Sequence, residues 1–304
     1  MFAHFTGCVT EKTTPSQTTE RRWLDADGQP IDEEDRGLVY DVRTLVNRRA
    51  ALGLFGGIGI PSLLAACTPA TSTATPTATG SASTTPSPTA TAEASGPITE
   101  VPDETGGPYP ADGSNGVNVL DDSGIVRSDI RSSFGSSTTT AQGVPLTIRL
   151  TVRSASTGDA LAGAAVYLWH CDRDGNYSLY SSGFENENYL RGVQELDATG
   201  TATFTTIFPG AYPGRWPHAH FEVYSDVAGA VSQGPIVKTS QLALPKEACD
   251  AAYATSGYEQ SARNMVETPL ASDMVFGDDG GIHQIASMTG SPSEGYTAAL
   301  TIGV

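Results

Sequence analysis

From Thr68 to Gly96 the chain is built almost entirely of Thr, Ser, Ala and Pro, with two Gly and a single charge at Glu93. Such a segment lacks the apolar side chains that would offset the entropy of ordering it. It therefore reads as a disordered stalk over residues 67–98, and it confines any core to residues 99–304. A stretch of about 200 residues is enough to close one hydrophobic core.

Ahead of the stalk, residues 1–66 read as an export leader. Arg48 and Arg49 stand one residue, Ala50, ahead of the charge-free run Ala51–Ala66. That run is too short, and too rich in Gly and Pro, for a membrane span of about 20 apolar residues. It suits the apolar centre of a signal peptide. The arginine pair resembles a twin-arginine export signal, and Leu64-Ala65-Ala66-Cys67 resembles a lipobox. On this reading Cys67 becomes the lipidated first residue of a cell-surface or extracellular protein, anchored at the outer face of the cell membrane. The alternative is secretory cleavage near Ala66, with Cys67 incidental. Once the leader is gone and Cys67 lipidated, Cys171 and Cys249 are what remains of the four cysteines. Two thiols in an exported domain are expected to pair as a disulfide, the alternative being two buried free thiols.

Seventeen Lys and Arg against 34 Asp and Glu give a formal charge of −17. That sign argues against nucleic acid or an anionic membrane surface as partner, because binding to either begins with basic neutralisation.

Within residues 99–304, alternation of period two recurs in Leu146–Val152 and again at Ala298, Leu300, Ile302 and Val304, each the mark of a half-buried strand. Asp172-Arg-Asp-Gly175 follows the apolar run Ala164–Trp169, and Asp197-Ala-Thr-Gly200 precedes Thr201–Phe208, so turns punctuate further strands. Only Pro245–Thr255 reads as helical. Many short strands with few short helices predict an all-β chain folded as a β-sandwich.

His218 and His220 stand two apart in a strand-like segment, so both imidazoles project from one face, while Ala219, Phe221 and Val223 project from the other. Such a pair is half of a metal site, though an isolated pair of this kind is more often structural. Asp172-Arg-Asp-Gly invites a calcium-loop reading, but Tyr177 and Gly183 stand where that loop needs Gly and Glu, and calcium is rejected. His170 is expected to pack beneath the site and His283 to lie in a turn or strand.

Taken together, Thr105-Gly-Gly-Pro-Tyr109, Ala164–Tyr177 (AAVYLWHCDRDGNY), Tyr189-Leu-Arg-Gly192, the Pro-Gly-x-Tyr212 segment and His218-x-His220 resemble the intradiol ring-cleavage dioxygenases, in that family's order, over roughly Val101–Gln241. The resemblance implies a β-sandwich with Greek-key-like strands. It implies a ferric ion, Fe(3+), held by Tyr177, Tyr212, His218 and His220, and a catechol-type substrate cleaved with O2 between its hydroxylated carbons to a cis,cis-muconate. Arg215 and Gln241 correspond to the residues around the substrate, and Tyr212 to the phenol displaced when substrate binds. The chemistry is coherent: Fe(III) prefers hard oxygen donors, and a phenol is ionised at neutral pH only when a cation holds its proton off.

Two departures from the pattern bear on substrate and assembly. The loop from Tyr212 to His218 is shorter than in well-studied cytoplasmic relatives, implying a more open pocket, and no dimerising helical segment precedes the domain. The competing readings are a non-enzymatic module of transthyretin-like form, binding carbohydrate or protein, and adventitious Zn(II) or Cu(II) at the histidine pair.

Overall fold

The computed structural model describes residues 96–304; the leader and all but the last few residues of the stalk lie outside the described residues. Eight strands form two four-stranded sheets, as the alternation predicts. In chain order they are β1 (Pro145–Arg153), β2 (Ala165–Trp169), β3 (Arg191–Glu195), β4 (Thr201–Ile207), β5 (His218–Tyr224), β6 (Ile236–Ala243), β7 (Ser287–Ser291) and β8 (Gly295–Gly303). The first sheet runs β4-β1-β8-β7 and the second β3-β2-β5-β6.

In the first sheet β1 pairs antiparallel with β4 and parallel with the last strand, β8, so Thr147 lies between Thr205 and Thr297. Its burial alternates as the sequence requires: Leu146, Ile148, Leu150 and Val152 face inward and are buried. The second sheet is antiparallel throughout. Its central strands β2 and β5 are buried at every position, which means both of their faces are covered. One face, carrying Val166, Leu168, Ala219, Phe221 and Val223, packs into the core shared with the first sheet. The other carries Tyr167, Trp169, His220 and Tyr224 and lies under the segment between Val101 and Phe134, which contributes Ala111, Val119, Leu120 and Ile125. The candidate site is therefore on the covered outer face of a sheet.

Helix is more extensive than the sequence suggests. The expected one is present as α2 (Lys246–Tyr253), begun by Pro245, but α1 (Val227–Val231), capped by the Asp226 carboxylate, and α3 (Glu259–Glu267) accompany it. Along α3, Gln260, Arg263, Val266 and Glu267 are exposed while Ser261, Asn264 and Met265 are buried. Its inner face is largely polar, so no apolar stripe announces it. No helix among the described residues is long and apolar enough to cross a membrane.

The expected disulfide is not formed: Cys171 and Cys249 are both buried free thiols. They belong to different apolar clusters. The Cys171 thiol donates to the Gly210 carbonyl at 3.5 Å, while Tyr253, on the same helix as Cys249, donates its hydroxyl to the Pro209 carbonyl at 2.9 Å. Helix and turn are thus tied through neighbouring carbonyls, and burial pushes both thiols well above their ordinary pKa, away from the reactive thiolate.

Candidate metal centre

Two turns and one strand supply the four residues. In the first turn, the Asp172 carboxylate accepts hydrogen bonds from the backbone N–H groups of Asp174 and Asn176, both at 2.9 Å, and Gly175 takes the left-handed conformation at φ 94°. This is an Asx turn, in which one carboxylate oxygen is bonded to the chain's own backbone. The turn delivers Tyr177, 1% exposed, to the sheet face.

The second turn carries Tyr212, and Gly210 lets it approach the first. A Cβ on Gly210 would stand 2.6 Å from the Arg173 carbonyl oxygen and 2.7 Å from that of Asp172. With no Cβ there, the Gly210 N–H donates to the Asp172 carbonyl at 2.9 Å. Helix α3 then clamps both turns: the Ser261 hydroxyl accepts from Ala211 N–H at 3.0 Å and donates to the Arg173 carbonyl at 2.7 Å, and the Asn264 amide donates to the Ala211 carbonyl at 2.8 Å. As a result the rings of Tyr177 and Tyr212 meet edge to face at 5.8 Å.

The histidines come from β5. Nδ1 of His218 lies 2.5 Å from the Trp216 carbonyl, which can only accept, so that nitrogen carries the proton and Nε2 presents its lone pair. His218 Nε2 stands 3.0 Å from His220 Nε2 and 3.3 Å from Tyr212 Oη. The His220 ring is stacked parallel on Trp169 at 5.0 Å, which in turn stacks on Tyr167 at 4.8 Å. Both imidazoles are held well below their ordinary pKa, first by burial, with the Arg215 charge adding to the effect in each case. Burial likewise pushes the Tyr177 phenol well above its ordinary value. Its hydroxyl is buried without a hydrogen-bond partner.

These donors fit a trivalent iron. Of the four candidate donor atoms, His218 Nε2 lies within hydrogen-bond distance of both His220 Nε2 and Tyr212 Oη, and the fourth is a buried phenol oxygen without a partner. Among the described residues no group of three or more His, Cys, Asp or Glu side chains is arranged to hold a metal. Beside the imidazole pair stand the phenol oxygen of Tyr212 and the ring of Tyr177, and a phenolate oxygen is a hard donor that suits Fe(III).

Arg215 and Gln241 stand together beside this cluster. The Arg215 guanidinium donates to Gln241 Oε1 at 2.6 Å and to Asp273 Oδ2 at 3.0 Å, and Gln241 Nε2 donates to the Thr105 carbonyl at 2.9 Å. Gln241 also sits opposite His220 in the β5–β6 ladder. Asp273 escaped the sequence reading, since it lies far along the chain in a segment without pattern. Its second oxygen accepts from the Val275 and Phe276 N–H groups, fixing it there. His170 packs beneath the site as expected. Its two nitrogens reach the Cys171 carbonyl and the Thr206 hydroxyl, each at 2.7 Å, so it has no lone pair to spare. Ser261 and Asn264 were equally hidden, as was the role of Arg191. That buried guanidinium donates to the Ser178 hydroxyl and carbonyl beside Tyr177, to the Tyr109 and Pro110 carbonyls, and to the Tyr167 hydroxyl.

Residues 130–237 match the family model described as Dioxygenase, a span that includes all four candidate ligands. An intradiol ring-cleavage dioxygenase from Tetranychus urticae is 25% identical with a TM-score of 0.49, over 60% of this chain and 87% of that one. The crystal structure of another dioxygenase is 24% identical with a TM-score of 0.50, over the same shares, and supports the likeness of fold. The dioxygenase domain of a carbohydrate-binding fusion protein from Streptomyces sp. SirexAA-E is 22% identical with a TM-score of 0.43, over 68% of this chain and 98% of that one. No curated protein matches the chain by sequence.

Proposed function

We propose that this chain, whose folded domain is a member of the intradiol ring-cleavage dioxygenase family, holds one ferric ion through Tyr177, Tyr212, His218 and His220. With molecular oxygen it opens catechol-type rings between their two hydroxylated carbons, giving cis,cis-muconate-type products. The observation that carries this reading is that His218 Nε2 lies within hydrogen-bond distance of both His220 Nε2 and Tyr212 Oη, while the Tyr177 ring stands edge-on to that of Tyr212 with its buried hydroxyl unpartnered.

The chemistry that a bound ferric ion supplies is the activation of a chelated catechol ring toward oxygen. Tyr212, half-buried at the mouth of the cavity, is placed to take a catechol proton at its Oη as substrate enters. Tyr177, His218 and His220 are buried. The Trp169 ring stacked on His220 fixes the plane of that imidazole. Arg215, oriented by Asp273 and Gln241, supplies positive charge beside the ring during oxygen attack, a preoriented electrostatic contribution that needs no rearrangement at the moment of reaction.

The test is colour and iron. Protein produced with ample iron should bind about one ion and show a visible tyrosinate charge-transfer band. Tyr177→Phe should lose that band, and oxygen uptake should accompany catechol cleavage. A colourless, iron-free protein would sink the reading.

Export by the twin-arginine route and lipid attachment at Cys67 form part of the proposal. They are supported by Arg48, Arg49 and the Leu64–Cys67 segment. The mass of the mature N-terminal peptide checks them, and a retained leader or an unmodified Cys67 would count against them.

A further inference from the structure

We propose that the polar cavity beside the four-residue cluster is a subsite for an uncharged, hydroxyl-bearing arm on the aromatic substrate, an inference that rests on the ring-cleaving function above. The cavity, of about 630 Å³, begins at Tyr109 and Tyr212. It falls within the range of sites for ligands larger than one ring, about 300–1,000 Å³. The Tyr109 ring stands 4.9 Å from that of Tyr177, so the cavity adjoins both phenols and offers room for a substituent on a ring bound beside them.

The wall facing that substituent comes from the same turn that carries Tyr177. Ser181 Oγ accepts the Tyr177 N–H at 2.9 Å, which leaves its own proton to donate. The exposed Ser182 hydroxyl can donate and accept. Asn176 commits its Nδ2 to the Asp172 carboxylate, which leaves Oδ1 as an acceptor. Asp174 adds a carboxylate, one oxygen of which lies 3.7 Å from the Arg173 guanidinium, and among the described residues no basic side chain lines the cavity itself. The lining therefore offers both donors and acceptors.

A hydroxyl, which both gives and takes a hydrogen bond, satisfies such a wall. A carboxylate arm has no proton to offer Asn176 Oδ1 and meets the like charge of Asp174. An alkyl arm displaces water from these groups and leaves them unpaired, the circumstance in which a polar site discriminates most strongly.

Three catechols of nearly equal size separate these cases: 2-(3,4-dihydroxyphenyl)ethanol, 4-ethylcatechol and 3,4-dihydroxyphenylacetate. Their affinities for the iron-loaded protein are measured by calorimetry with oxygen excluded, and kcat/KM by oxygen uptake, with unsubstituted catechol alongside. The hydroxyethyl compound should bind about tenfold more tightly than the ethyl compound and lead in kcat/KM, with the carboxylate weakest. In Asp174→Lys the carboxylate should rise above the other two. Equal or reversed affinities for the hydroxyethyl and ethyl compounds, or no change in rank in Asp174→Lys, overturn the subsite. Because the affinities are read without turnover, the ranking stands or falls by itself. Failure to cleave unsubstituted catechol would instead overturn the ring-cleaving function.

Discussion

His218 and His220 sit on a strand bonded to neighbours on both sides, whereas Tyr177 and Tyr212 sit in turns held by a handful of side chains. The imidazoles inherit their spacing from the pleat and their height from the β2–β5–β6 ladder, and no single side chain sets either. The phenols depend on the Asp172 carboxylate, the bare Cα of Gly210 and the clamp from α3. For an equal loss of stability, damage on the tyrosine side should therefore release iron more readily than damage on the histidine side.

The largest expected effect probes the strand. Phe221 is fully buried on β5, and Phe221→Ala should cost about 3–5 kcal/mol in chemical unfolding. The molecules that remain folded should keep their iron and their band, because the ladder still fixes both imidazoles. Loss of iron from the folded fraction would erase the distinction between the two sides.

A smaller effect comes from His170, which links the start of the first turn to Thr206 on β4. Burial lowers its pKa to about 4. The unfolded chain thus takes up this proton at higher pH than the folded one. The stability held above the ordinary value near 6.5 should fall as the pH drops from there toward 4, by about 3 kcal/mol from this group. Against the wild type, His170→Asn should flatten that part of the pH–stability profile, and an unchanged acid limb would remove His170 as its source.

The smallest effect on stability should bring the largest disproportion in iron. Ser261→Ala leaves the buried Ala211 N–H without its acceptor, at a cost of about 1–3 kcal/mol. Iron retention in dialysis against a chelator should nonetheless fall well below that of Phe221→Ala. If the two variants keep iron in proportion to their stabilities, the comparison fails.

The sequence reached the strands because alternation is a local pattern, as in β1 and β8, and it named the four candidate ligands through a resemblance whose motifs are local too: Asp172–Tyr177 is a turn spelled out in consecutive residues, and His218 and His220 share a face by spacing. It missed what tertiary contact decides. The buried side of α3 is made of Ser261 and Asn264 beside Met265, so neither helix nor clamp shows in hydropathy. Asp273 gains its meaning from Arg215, distant in sequence, and Cys171 and Cys249 were paired by count although the fold places them in different clusters.

Arg191 gives the domain one more property. Its charge is buried with neutral oxygens as its recorded partners, and these come at once from the outer segment, from the residue after Tyr177 and from the tyrosine that begins the stack ending at His220. Peeling that outer segment away would strand a cation in the interior. The covering segment and the candidate metal centre should thus come apart as one cooperative unit, and amide protons at Pro110's neighbour Ala111 and at Tyr177 should exchange with solvent at matching rates.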